Sequence, residues 1–254
     1  MPSPLPARRS HLKSVLWGMA GAALLLQLGC TAGRMRQSIA LARASEPLQR
    51  SVEQARVRLL IVGDSTAVGT GASSPQTSLA GLLAQTFPDL HIENRSRDGA
   101  TFDAIEQQLG GDGRFDMVLV QAGGNDVIRL RDLDAVRQDI ARVTRCAFDR
   151  ADRVVLMPAG NVGNAPFFFP PVSWLMTSRA RRLHESVREV ASRQGAVYVN
   201  LFKERADDPF VHHPELNASD GLHPSDAGYR VWFDALMAQA DLRQRWTVGP
   251  GIPQ

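Results

Sequence analysis

The stretch Val57-Arg58-Leu59-Leu60-Ile61-Val62-Gly63-Asp64-Ser65 decides the fold, because a short aliphatic run leads directly into a glycine turn and a hydroxyl. Short runs that are rich in β-branched residues and bounded by glycine, proline, asparagine or aspartate are typical of buried strands. The sequence predicts strands at Val57–Val62, Leu90–Asn94, Asp116–Gln121, Arg153–Met157 and Ala196–Leu201.

Longer amphipathic segments separate these predicted strands. Helical patterns lie at about 74–87, 101–110, 131–148, 172–194 and 225–244. Strands that alternate with helices form a parallel sheet with helices on both faces. In such an α/β fold the functional site lies beyond the carboxyl ends of the strands.

The composition is that of one globular domain. The chain has 254 residues, of which 44% are hydrophobic and 22% charged, which suits a single α/β core and excludes a disordered chain. The net charge is only +3, and the basic residues are spread without interleaved aromatic residues, which argues against nucleic-acid binding. The adjacent pair His212-His213 is a poor chelate, and no other cysteine and histidine cluster has metal-ligand spacing, so we expect no metal.

The N-terminus has the pattern of an export signal. Basic residues precede the apolar stretch Val15–Gly29, which is short for a membrane-spanning helix, and Cys30 follows it directly. Cys30 resembles the cysteine that is acylated in bacterial lipoproteins, and an uncleaved signal anchor is the alternative. We interpret residues 1–33 as an export or lipoprotein signal, which predicts a membrane-anchored protein on the periplasmic side of a bacterial cell envelope.

The rest of the chain divides into a tether, a domain and a tail. Residues 34–56 are polar and arginine-rich and predict a partly helical tether. The domain is predicted to span residues 57–246, and residues 247–254 form a C-terminal tail. If Cys30 is lipidated, Cys146 has no cysteine left to pair with, which argues against a disulfide.

Ser65 stands on the turn that leaves the first predicted strand. Asp64 and Ser65 are also ordinary helix-capping residues, so the tripeptide alone leaves a nucleophile and a cap as open alternatives. The segment lacks the second glycine of the G-x-S-x-G elbow, which excludes an α/β-hydrolase of that type.

The segment Asp220-Gly221-Leu222-His223-Pro224 places a carboxylate three residues before an imidazole. In a tight turn Asp220 is close enough to hold the Nδ1 proton of His223 and to leave Nε2 as a base. Pro224 disfavours helical geometry at His223, so the imidazole is presented from an extended segment. The alternative is that these residues serve only as a turn and a helix cap.

Glycine turns follow the second and third predicted strands. Gly123-Gly124-Asn125-Asp126 presents an amide suited to stabilising the negative charge of a tetrahedral acyl intermediate, although the same residues also make an ordinary turn. Gly99 has no side chain to keep its backbone N–H away from a ligand oxygen.

In their order and placement these four segments resemble those of the SGNH (GDSL) hydrolase family of serine esterases and lipases, over about residues 57–240. The resemblance implies a three-layer α/β/α flavodoxin-like sandwich with a parallel, about five-stranded sheet. It also implies Ser65 as the nucleophile, His223 as general base and acid, and Asp220 as the residue that orients His223.

The resemblance further implies how the charge of the intermediate is stabilised. The oxyanion hole would consist of the backbone N–H groups of Ser65 and Gly99 and the side-chain amide of Asn125. The reaction would pass through an acyl-enzyme on Ser65 and would need no metal and no organic cofactor.

The segment after the fourth predicted strand, residues 158–171, combines glycine and asparagine with three consecutive phenylalanines. We expect Phe167 and Phe168 to line the site and to hold an acyl chain, which predicts a small-molecule or lipid acyl ester as the substrate. Packing onto the domain or contact with membrane is the equal alternative.

Two alternatives to an exported carboxylic-ester hydrolase remain open at this stage. The first is an acyl transferase or deacetylase that acts on cell-envelope glycan with the same residues. The second is a non-catalytic envelope protein that uses the fold only for binding.

Overall fold

A computed structural model describes residue 27 and residues 29–247 of the chain. Its centre is one sheet of five strands, in the order β2-β1-β3-β4-β5, and every neighbouring pair is parallel. This is the flavodoxin-like strand order, so the predicted fold is confirmed. The strands are β1 (Val57–Gly63), β2 (Leu90–Asn94), β3 (Phe115–Gln121), β4 (Ala151–Leu156) and β5 (Val197–Tyr198).

Helices precede, connect and follow these strands. The first, α1, spans residues 29–44. The others are α2 (Ser65–Val68), α3 (Leu79–Thr86), α4 (Phe102–Gln108), α5 (Gly124–Ile128), α6 (Leu133–Phe148), α7 (Val172–Gln194), α8 (Pro209–His212), α9 (Asp226–Gln239) and α10 (Leu242–Thr247).

The aliphatic run in β1 is buried on both faces, which is why it does not alternate with polar residues. Leu59 and Ile61 pack against α3, α9 and α10, whereas Leu60 and Val62 pack against α4, α6 and α7. The sheet therefore lies between two helical layers, as the three-layer prediction requires.

Several element boundaries differ from the sequence prediction. The strand predicted at Arg153–Met157 spans Ala151–Leu156, and α3 begins only at Leu79 within the helix predicted at about 74–87.

The fifth strand was predicted over 196–201, but it is limited to Val197–Tyr198. The backbone N–H of Val199 still donates to Leu156 of β4, whereas that of Asn200 donates to the side chain of Gln239 at 2.8 Å. The last predicted helix, 225–244, is divided into α9 and α10, since Asp241 has a left-handed backbone with φ 52°.

The segment before β1 is attached to the edge of the sheet. The backbone of Arg50 forms an antiparallel bridge with Ile92 of β2, with N···O distances of 3.0 and 2.9 Å. The side chain of Gln49 exchanges hydrogen bonds with the backbone of Asn94. These bonds pair backbone groups that an edge strand would otherwise leave open.

Most of the predicted export signal, residues 1–33, lies outside the described residues. Cys30 is described and is exposed near the start of α1. Within residues 27 and 29–247, no helix combines the length and the apolar character needed to cross a membrane.

Candidate active site

The turn after β1 fixes the position of Ser65. A Cβ on Gly63 would lie 1.9 Å from the carbonyl oxygen of Gln121 in β3, so only glycine fits where the two strands approach each other. Asp64 then caps α2, and its buried carboxylate accepts from the backbone N–H and the hydroxyl of Thr66 at 2.9 and 2.8 Å. Burial raises the pKa of Asp64. Asp64 is thus the helix cap, and Ser65 is the first helical residue.

The turn before α9 presents His223. Oδ1 of Asp220 accepts from the backbone N–H groups of Leu222 and His223 at 2.9 and 3.1 Å, which closes the turn. A Cβ on Gly71 would lie 2.4 Å from the carbonyl oxygen of Pro224 and 2.9 Å from Cβ of His223. Gly71, which was not predicted as a site residue, therefore allows the close approach of this turn to the chain after α2.

The structure brings Ser65, His223 and Asp220 into one series of hydrogen bonds. Nδ1 of His223 lies 2.6 Å from Oδ2 of Asp220, and Nε2 lies 2.8 Å from Oγ of Ser65. A carboxylate only accepts, so Nδ1 carries the proton and Nε2 accepts from the serine hydroxyl. Asp220 is fully buried and His223 is 6% exposed. Burial acts to raise the pKa of Asp220, but the hydrogen bonds from His223 and the backbone outweigh it and hold the pKa below its ordinary value.

Gly99 and Asn125 lie on the same cavity as Ser65 and His223. Gly99 has φ 74°, a left-handed conformation that suits glycine. The side-chain amide of Asn125 donates to the carbonyl oxygen of Ala100 at 3.1 Å. An amide nitrogen has two N–H groups, so this bond orients Asn125 and leaves a second donor for a ligand.

The buried carboxylate of Asp126 joins the two glycine turns. The carboxylate of Asp126 lies 2.8 Å from Nη1 of Arg131 and also accepts from the backbone N–H of Phe102, at 3.3 and 3.2 Å. Burial raises the pKa of Asp126 to about 6 although Arg131 opposes this shift. Because Asp126 follows Asn125 and Phe102 comes three residues after Gly99, the bond from Phe102 holds the two segments together, and the ion pair with Arg131 fixes the carboxylate of Asp126.

The cavity beside Ser65 has a volume of about 490 Å³. Phe167 is buried and lines it, and the backbone N–H of Phe167 donates to the carbonyl oxygen of Gly221 at 2.9 Å. The loop after β4 is thereby joined to the turn that carries His223. The half-buried Phe168 instead lines a neighbouring hollow with Trp174.

Helix α1 also contributes to this cavity, which was not predicted from the sequence. Met35, Ser38, Ile39 and Ala42 line it. The apolar residues among them stand at i, i+4 and i+7, which places them on one face of a helix. This spacing is the pattern in the sequence that could have identified the side of α1 that faces the cavity, although the surrounding residues are polar.

Two other side chains border the cavity beside Gly99. The hydroxyl of Thr70 donates to Asp98 at 2.7 Å, and Asp98 and Arg129 both line the cavity. In the part of the chain that the structure describes, no group of three histidine, cysteine, aspartate or glutamate side chains is placed to hold a metal ion. The two cysteines do not line this cavity. Cys30, the predicted lipidation site, is exposed on α1, and Cys146 is half-buried in α6.

Known proteins resemble this chain in sequence. GDSL-like esterase Rv1075c of Mycobacterium tuberculosis (strain ATCC 25618 / H37Rv) is 29% identical over 208 residues, which cover 76% of this chain and 65% of that relative. The chain thus spans somewhat less than two thirds of the length of this relative.

Solved structures share the fold. LAE5, an alpha/beta hydrolase enzyme from the metagenome of Lake Arreo, Spain, is 20% identical with a TM-score of 0.58, over 74% of this chain and 96% of its own. Axe2, an acetylxylan esterase from Geobacillus stearothermophilus, is 21% identical with a TM-score of 0.53, over 76% and 96% of the two chains.

The model of the GDSL-like lipase/acylhydrolase family matches residues 61–231, which include the turn after β1, both glycine turns and the aspartate and histidine before α9. This match spans most of the described chain and confirms the family that the sequence motifs indicate. The chain belongs to the GDSL-like lipase/acylhydrolase family.

Proposed function

We propose that the protein is an exported serine ester hydrolase that cleaves carboxylic esters through an acyl-enzyme on Ser65. The observation that carries this proposal is the series of hydrogen bonds from Ser65 through His223 to Asp220, at 2.8 and 2.6 Å. Family membership and the esterase name of the mycobacterial relative support it.

In the first step Oγ of Ser65 attacks the ester carbonyl carbon and its proton passes to Nε2 of His223. The new O–C bond converts the carbonyl oxygen into an oxyanion. Asp220 stabilises the imidazolium that forms and keeps the ring in the required orientation. The imidazolium then gives its proton to the leaving alcohol as the C–O bond of the ester breaks.

In the second step water replaces the alcohol. His223 takes a proton from the water as the water oxygen attacks the acyl carbon, and then gives it to Oγ of Ser65 as the bond between Oγ and the acyl carbon breaks and the carboxylic acid leaves. In both steps Asn125 and the backbone N–H groups of Ser65 and Gly99 are the proposed donors to the oxyanion. Donors that are already oriented act without reorganisation at the moment of reaction, as the bond from Asn125 to Ala100 supports.

Export and attachment to the bacterial envelope rest on residues 1–33, with basic residues before Val15–Gly29 and Cys30 after it. The exposed position of Cys30 at the start of α1 is compatible with acylation. The mass of the mature N-terminal peptide tests this part: an unmodified Cys30 within an uncleaved chain contradicts a lipoprotein.

The experiment that tests the reaction measures hydrolysis of p-nitrophenyl acetate by the full chain, its Ser65→Ala variant and a Ser192→Ala control. Ser192 is exposed on α7 and is remote in sequence from the turn after β1. We expect Ser65→Ala to lower kcat by about 10³-fold or more and Ser192→Ala to leave it unchanged.

Labelling by a fluorophosphonate gives a second readout. The wild-type chain is expected to be labelled on Ser65, and Ser65→Ala is expected to resist labelling. A wild-type chain that neither hydrolyses esters nor reacts with the reagent contradicts the proposal and favours a binding protein. A chain that is labelled but inert on simple esters favours the acyl-transfer or glycan-deacetylase alternative.

A further inference from the structure

Helix α1 passes across the carboxyl edge of the sheet. Near its N-terminal end the guanidinium of Arg34 is hydrogen-bonded to the carbonyl oxygen of Pro166 and lies 5.0 Å from the centre of the Phe169 ring, so this end contacts the loop after β4. Beyond its other end, Gln49 is bonded to Asn94 at the carboxyl end of β2.

The strand order places the active site beneath this path. Since β1 and β3 lie between β2 and β4, α1 passes over the ends of the two strands that Ser65 and Asn125 follow. Three strand spacings amount to about 14 Å. Helix α1, which spans residues 29–44, is about 24 Å long, which is more than that distance.

The face of α1 towards the cavity is apolar. Met35, Ile39 and Ala42 line the cavity that also contains Ser65 and His223. Apolar side chains of the domain complete the lining beside them, among them Ile128, Val162, Phe167 and Leu222.

Packing within the protein does not fully cover this face. Met35 is 49% exposed and Ile39 is 46% exposed, although both border a concave site. Exposed apolar patches occur at protein and membrane contacts as well as at ligand grooves, and the position of these two side chains on the lining of the cavity that contains Ser65 favours a ligand. A hydrocarbon chain buries such apolar surface favourably, whereas a polar sugar does not.

We propose that α1 is part of the substrate site and binds the acyl chain of the ester, with Met35, Ile39 and Ala42 as specificity-determining residues. The substrate class is therefore esters of medium-length to long fatty acids. This inference rests on the proposed ester hydrolysis. Helix α1 lies before residues 61–231, the part of the chain that matches the family model, so this contribution is separate from the elements that define the family.

A matched pair of tryptophan substitutions in the full chain tests the inference. Ala42→Trp fills the cavity from α1, whereas Ala40→Trp adds the same side chain at an exposed position two residues earlier. The readout is kcat/KM for p-nitrophenyl decanoate divided by kcat/KM for p-nitrophenyl acetate. Ala42→Trp is expected to lower this ratio about tenfold, mainly through KM, which corresponds to losing room for about two methylene groups. Ala40→Trp is expected to leave it unchanged.

A binding measurement separates this inference from the proposed reaction. Calorimetry of decanoic acid with Ser65→Ala chains that carry Ala42→Trp or Ala40→Trp needs no turnover. We expect the first to bind about tenfold more weakly than the second. If no ester is hydrolysed but this difference is found, the proposed reaction fails and the acyl site stands.

Two results would contradict a role of α1 in binding the acyl chain, and a second pair of variants provides the same comparison. If esters are hydrolysed but both tryptophan variants have the same substrate ratio and the same affinity for decanoic acid, α1 is not an acyl site. Hydrolysis of decyl acetate distinguishes the acyl side of the ester from the alcohol side. If Ala42→Trp selectively lowers kcat/KM for this long-chain alcohol ester, the inference is also overturned. Should Ala42→Trp fail to fold by circular dichroism, Ile39→Ser with Gln37→Ser as the exposed control gives the same comparison.

Discussion

The two sides of the cavity are built in different ways. On one side His223 and Asp220 are buried and joined to Ser65 by hydrogen bonds of fixed direction. On the other side Met35 and Ile39 of α1 are nearly half exposed and contact the cavity through apolar atoms.

The difference corresponds to two roles in the proposed function, which are catalysis of ester hydrolysis and selection among ester substrates. Proton transfer depends on angle and distance, so the groups that perform it must be held by directional bonds to a rigid turn. Apolar contacts have no preferred direction, so a half-exposed helix face is able to accept chains of different length. Substitutions in the hydrogen-bonded series should therefore change turnover with every ester, whereas substitutions along the apolar side should change the preference among esters.

The largest expected effect is that of Asp220→Asn. The asparagine keeps the size of the side chain but loses the charge that stabilises the imidazolium of His223 and fixes its tautomer. We expect kcat to fall by about 10³ to 10⁴-fold, equally for acetyl and decanoyl esters, with little change in KM. Steady-state kinetics on both esters provide the measurement.

Asp234→Asn is the matched control, because Asp234 is exposed on α9 and should tolerate the same replacement without loss of kcat. A loss below about tenfold for Asp220→Asn, or a loss confined to the long ester, would show that the hydrogen-bonded series does not work as a unit.

The loop after β4 joins the two sides, and His184 of α7 supports it. Nε2 of His184 donates to the carbonyl oxygen of Ala159, which lines the cavity, and Nδ1 accepts from the hydroxyl of Tyr198, both at 2.7 Å. The ring is 4% exposed. Burial lowers the pKa of His184 from 6.5 to about 4, so the ring is neutral in the folded protein at neutral pH.

This shift predicts a pH dependence of stability. Below pH 6.5 the unfolded chain binds a proton at His184 that the folded protein does not bind until about pH 4. The free energy of unfolding therefore decreases as the pH falls through this window, by about 3 kcal/mol from this group. Urea denaturation at a series of pH values measures it.

His184→Gln is the variant that isolates this contribution. Its amide keeps a donor for Ala159 but does not titrate, so the pH dependence of the variant should be weaker than that of the wild type by about that amount. If the free energy of unfolding depends on pH in the same way in the two proteins, His184 is protonated, or reached by water, in the folded state.

The sequence predicted the hydrogen-bonded side far better than the apolar side. Asp220 and His223 are three residues apart in one turn, and Ser65 follows a strand whose burial is evident from its aliphatic run, so local rules predict these segments. The roles of the three residues, and the contact between Ser65 and His223 across 158 positions, followed from the family resemblance. The apolar face of α1 consists of three residues within a polar segment, and its role depends on the path of the chain over the sheet. Likewise, Asn200, which was predicted to lie in the fifth strand, is bonded to Gln239, 39 residues away along the chain.

The smallest expected effect distinguishes two neighbours in the loop after β4. Phe167 lines the cavity, whereas Phe168 lies in the adjoining hollow, with the two ring centres 5.0 Å apart. We expect Phe167→Ala to raise KM for p-nitrophenyl decanoate about fivefold more than KM for the acetate, because only the longer chain reaches the lost ring surface. Phe168→Ala removes the same ring from outside the cavity and should raise the two KM values equally. Thermal unfolding of both variants accounts for the packing that each ring supplies. Equal KM changes for the two esters in Phe167→Ala would remove this loop from the apolar side and leave α1 as the proposed contact for the chain.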